Sequence, residues 1–74
     1  MSPTKSEYVT ISTTTRTRTE AESLIADTVR GTGDSGTVSW SLQGMTDATV
    51  TYRITGPATA VDRVVGAGSR ARYW

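Results

Sequence analysis

A chain of 74 residues with a net charge of +1 has room for one small domain and lacks the electrostatic signature of a general nucleic-acid or membrane-surface binder. Cysteine and histidine are both absent, which excludes disulfides and the thiolate and imidazole ligands that hold zinc. The seven acids are scattered, with no Asp-rich loop of the calcium-binding kind.

No apolar run approaches the roughly 20 residues that span a bilayer, and no signal-peptide pattern opens the chain. The expectation is a soluble, cytoplasmic domain with no cofactor. Residues 1–37 carry four basic and five acidic groups, residues 38–74 four basic and two acidic ones. Seven of the eight cations are Arg, which favours forked contacts to carboxylate or phosphate over diffuse charge. Scarce Lys, no Asn and abundant Thr, Ala, Gly and Arg suggest a GC-rich coding sequence, as in actinobacteria or their phages.

Residues 1–6 are polar with a Pro and read as a mobile tail, leaving residues 7–74 as the domain. From Tyr8 the chain alternates, Val9 and Ile11 to one side, Tyr8, Thr10, Ser12 and Thr14 to the other; this period of two predicts a strand. Two overlapping capping boxes follow, Thr17 with Glu20 and Thr19 with Glu22, either able to satisfy orphan amides at a helix start. Ala21, Leu24, Ile25, Thr28 and Val29 then form one helical stripe, with Gly31 placed as terminator.

After the loop 31–36 a second alternating run puts Val38, Trp40 and Leu42 on one face. A turn at 43–47 leads to a third, with Ala48, Val50, Tyr52 and Ile54 inward. Two such runs joined by a short Gly-containing turn predict an antiparallel hairpin. Gly56-Pro57 opens a second helix with Ala58, Val61, Val64 and Val65 on its apolar side, ended by Gly66 or Gly68. Residues 69–74 read as a short fourth strand or a frayed tail.

The order β-α-β-β-α-β is that of the ferredoxin-like sandwich, an α+β fold with expected sheet order 4-1-3-2 and both helices on one face. Without the last strand it becomes a β-α-β-β-α variant whose first strand is an exposed edge open to a partner.

Three short matches fail on context. Gly31, Gly33 and Gly36 satisfy G-x-G-x-x-G, but a helix enters and a strand leaves, the reverse of a dinucleotide site. Gly33-Asp34-Ser35-Gly36 resembles the GDSGG nucleophile motif of trypsin-like proteases, yet Thr37 replaces the last Gly and the chain has no His to act as base. The stretch from Asp34 to Ser39 fits the DSGxxS phosphodegron, with its second half inside a predicted strand. Glu20 and Glu22 belong to a first helical turn, and Asp27, Asp47 and Asp62 read as single solvent-side charges; no catalytic set emerges.

Two surfaces are left as functional candidates. On the open sheet face eleven residues are expected, nine Ser or Thr plus Tyr8 and Arg53. A fourth strand would bring Trp74 beside Tyr8 with Arg72 and Arg53 nearby, an aromatic–guanidinium cluster of the kind that interfaces enrich and single-stranded bases stack on. RNA-recognition domains present aromatics on both central strands, and the third strand here has none facing outward. At the opposite rim Arg16, Arg18 and Arg70 would grip an anion or an acidic partner, unless Arg16 and Arg18 pair with Glu20 and Glu22. The sequence thus points to a non-enzymatic protein-binding module, such as an accessory or inhibitor protein on a larger assembly. The alternatives are a nucleic-acid-binding module using its Arg clusters and a self-assembling subunit joined through a sheet edge.

Overall fold

β1 (Thr4–Ser12), α1 (Arg18–Gly31), β2 (Ser39–Met45), β3 (Thr49–Pro57) and α2 (Ala58–Arg70) follow one another in the computed structural model, which describes residues 3–74. β3 is the central strand and pairs antiparallel with both neighbours, giving the order β1-β3-β2. The alternation seen in the sequence sets which side chains enter the core. Val9 and Ile11 of β1 and Val50, Tyr52 and Ile54 of β3 are buried on one face, against Ala21, Ile25 and Val29 of α1 and Ala60, Val61 and Val64 of α2. Each fully buried Ile or Val contributes on the order of 1.5–3 kcal/mol, so this one cluster carries the fold.

The expected strand at residues 69–74 does not form. Ser69 and Arg70 are the last turn of α2, so the sheet has three strands, not the four of order 4-1-3-2, and β1 lies at an edge. α2 runs past both glycines expected to end it. Gly68 is buried because the Trp74 ring lies against it; an added Cβ would sit 1.9 Å from that ring. Termination comes later, where Tyr73 N donates to Gly68 O and Arg72 N to Ser69 O, a Schellman pair with Arg72 at φ 60°.

The same motif closes α1. Asp34 N donates to Val29 O and Gly33 N to Arg30 O, with Gly33 at φ 81°, so Gly33 terminates this helix and Gly31 belongs to it. At the other end of α1, Thr17 is the N-cap, and of the two candidate capping boxes the one with Glu20 forms. β1 also starts earlier than the alternation suggested. Its register with β3 runs from Thr4 opposite Pro57, and Pro3 O accepts from Ala58 N, so residues 4–6 are strand. Met1 and Ser2 lie outside the described residues.

Candidate functional site

The helices cover one face of the sheet and leave the other open. On that open face the β1–β3 register sets Ser6 opposite Thr55, Tyr8 opposite Arg53, Thr10 opposite Thr51 and Ser12 opposite Thr49. Two of these pairs satisfy each other, with hydroxyl contacts of 3.0 Å between Ser6 and Thr55 and 3.1 Å between Thr10 and Thr51. Arg53 is also opposite Ser41 of β2. Tyr8 and Arg53 thus stand in a field of short hydroxyls, with Gln43 at the β2 bulge donating to Ser41 Oγ at 3.0 Å, and Tyr8 is 61% exposed.

Trp74 is not part of this face. Its indole Nε1 donates to Val65 O at 3.2 Å and its ring packs on α2 beside the core, at the end of a helix that lines the covered face. Arg72, in the α2 terminator, goes with it. The expected cluster of Tyr8, Arg53, Arg72 and Trp74 is therefore split: the structure brings the first two together and separates the last two. The cause is the longer α2, which uses up the residues a fourth strand would need.

Arg16 and Arg18 stand where β1 gives way to α1. α2 leaves the far end of β3 and packs on β1 and β3, so its last turn returns Arg70 to that same end of the domain. The last turn of α2, with Arg70 and then Arg72, thus stands toward the end where Arg16 and Arg18 lie, while the Arg70 guanidinium lies back along α2 beside Gly66. None of these four makes an ion pair among the described residues. Glu20 is committed to the cap, accepting from Thr17 N and Thr17 Oγ1. A shallow open hollow lined by Thr15, Arg16, Thr19, Glu20, Ser23 and Leu24 lies at this corner. The buried Tyr52 phenol is pushed up chiefly by burial, then by Glu22, with Arg18 acting in the opposite direction.

The ion pairs that do form hold the scaffold. Asp34 is buried and takes two hydrogen bonds from Arg63, at 3.1 Å from Nε and 2.7 Å from Nη2. Arg63 holds the Asp34 carboxyl below the ordinary aspartate range, against the desolvation that would raise it. The Asp of the GDSG match is thus an anchor between a loop and α2. Lys5 reaches Asp62 of α2 at 2.6 Å and Glu7 at 3.2 Å, and the bond to Asp62 is the main reason its amine is raised. Asp27 pairs with Arg30 along α1. Among the described residues no three acidic side chains gather in a way that would hold a metal ion, and no helix is long and apolar enough to cross a membrane.

One feature escaped the sequence pattern. β2 carries a bulge between Leu42 and Gly44, so Met45 returns to the helix-side face opposite Val50. Leu42 and Met45 are nonetheless 42% and 62% exposed, and Trp40 is only half-buried beside a hollow formed with Thr19, Glu22, Ser23 and Ala26. The helix layer stops short of this edge. Comparison of the chain with protein-family models, curated proteins and solved structures finds no match.

Proposed function

We propose that this chain is a non-enzymatic protein-binding module that docks through its open sheet face, with Tyr8 and Arg53 at the centre of the contact. The observation that carries the reading is their register: an exposed Tyr directly opposite an exposed Arg, with flanking hydroxyls that already satisfy one another. Tyr and Arg are the residue types that most often supply concentrated binding energy at interfaces. A face held by a three-stranded sheet also needs little reordering to bind. Tyr8→Ala and Arg53→Ala should each leave the circular dichroism spectrum unchanged and weaken capture of a partner protein at least tenfold. Full retention of capture by both variants would remove this face as the docking site.

A second reading is supported by a separate observation: Arg16, Arg18, Arg70 and Arg72 make no ion pair among the described residues, and the element order runs them toward the same end of the fold. Such guanidinium groups fit phosphate, and the reading assigns them to nucleic acid. Phosphate contacts release counterions, so binding should fall steeply between low and moderate salt. Absence of any gel shift with single- or double-stranded DNA or RNA at low salt would discard it.

A further inference from the structure

The sheet ends in two edge strands, and they are built differently. β1 has Lys5 and Glu7 on the helix-side face near its start, tied to Asp62 of α2, a charged guard that discourages another strand from pairing there. β2, Ser39–Met45, has no ionisable residue and no proline, and it exposes Leu42 and half-exposes Trp40 toward the helix side. An edge of this kind presents unpaired backbone amides and carbonyls whose complement is another extended strand. Glu22 of α1 lines the hollow beside Trp40, so a strand bearing an acidic side chain on the matching face would bring like charge there and strip it of water against Trp40 and Leu42. The complementary strand therefore carries no acidic side chain and has apolar side chains two residues apart, and β2 itself meets that description.

We infer that two copies of this chain associate through β2, antiparallel about a two-fold axis at Ser41. In that register Ser41 faces Ser41 of the second copy and Trp40 faces Leu42 of the second copy, twice over by symmetry. Aromatic–aliphatic pairs of this kind stabilise antiparallel strands, and the two paired strands carry no charge. The paired stretch stops at Gln43, where the bulge bends the strand away. Two three-stranded sheets become one of six strands. Because Tyr8, Arg53 and Ser41 already share one register row, that row continues across the axis to Arg53 and Tyr8 of the second copy. Five strand spacings place the two Tyr8 backbones roughly 24 Å apart on a single face. The inference does not depend on what that face binds.

The chain's lack of cysteine supplies a direct test. Ser41→Cys places two thiols across the axis, at the Cα separation of about 4.5–5.5 Å that a disulfide accepts. It should cross-link under mild oxidation at least tenfold faster than Thr10→Cys, which lies on β1 away from the axis. Sedimentation should show the mass moving from 7.9 kDa toward twice that value as concentration rises. Leu42→Lys should hold the chain at 7.9 kDa with an unchanged circular dichroism spectrum, while Tyr8→Ala should leave the association intact. Equal cross-linking at Ser41 and Thr10, a mass independent of concentration up to the millimolar range, or a dimer indifferent to Leu42→Lys would each overturn the inference. In the monomeric case the edge is left for a foreign strand.

Discussion

Arg63 on α2 holds Asp34, in the loop after α1, through two hydrogen bonds to a carboxylate that is almost fully buried. They tie the loop after α1 to the middle of α2. Asp34→Asn keeps the shape and removes the charge, and it should lower the melting midpoint by several degrees. The pH sign follows from the depressed carboxyl. The unfolded chain takes up the proton first, near the ordinary aspartate value of 3.8. The stabilisation is therefore complete above that value and is lost as pH falls through the lower, folded one. Thermal melts from pH 7 to pH 2 should show the wild-type and Asp34→Asn midpoints converging on the acid side; a constant difference would mean that the pair's charge does not matter.

The two Schellman terminators provide an internal comparison. Gly33 occupies the left-handed position after α1 and Arg72 the same position after α2. A residue with a Cβ is strained there by about 1–2 kcal/mol, partly offset by glycine's greater chain entropy. Arg72→Gly should accordingly stabilise the protein by ~0.5–1 kcal/mol and Gly33→Ala should destabilise it by about 1 kcal/mol, both read from urea midpoints.

Gly68 and Gly56 both face close neighbours, with different expected outcomes. At Gly68 an added Cβ meets the Trp74 ring, a side chain that can change rotamer. Gly68→Ala should release Trp74 to solvent, a red shift in emission measured in a Trp40→Phe background. Stability should change little, since alanine's helix preference of about 1 kcal/mol opposes the lost contact. At Gly56 the added Cβ would lie 2.7 Å from the backbone carbonyl of Thr37, which cannot rotate away. Gly56→Ala should cost ~1–3 kcal/mol in chemical denaturation.

Only one of the two overlapping capping boxes is used, and the choice is testable. Thr17→Ala removes the cap hydroxyl that accepts from Glu20 N at 3.1 Å and should cost about 1 kcal/mol. Thr19 is the second residue of the helix and not its cap, and Thr19→Ala should fall within ~0.5 kcal/mol of wild type. A larger loss at Thr19 than at Thr17 would mean the helix begins elsewhere.

Much of the architecture was legible in the sequence because it rests on local periodicity. Val9 and Ile11, Ala21, Ile25 and Val29, and Val50, Tyr52 and Ile54 were assigned to the inner face from spacing alone, and all are buried. The errors arose where a distant contact overrides a local signal. Gly66 and Gly68 resemble helix terminators until Trp74 is seen lying on α2, six residues beyond Gly68 in the chain. Thr4–Ser6 look like tail until the full register with β3 is drawn. Arg63 and Asp34 are separated by 29 residues, and no spacing rule links them. For the candidate surfaces, alternation puts Tyr8 and Arg53 on one face, while their direct opposition comes from the register of β1 with β3. The placement of Trp74 depended on an element that does not exist.

The Lys5–Glu7–Asp62 cluster at the start of β1 also bears on how far the molecule can grow. A pair of copies joined along β2 has only β1 strands at its margins. Each margin carries a fixed cation and two carboxylates beneath the strand, where a further copy would have to strip them of water. Sheet addition that begins at one edge therefore has no second edge to continue from. The same sandwich with neutral residues at positions 5 and 7 would lack that stop, and its natural product would be a fibre instead of a closed pair.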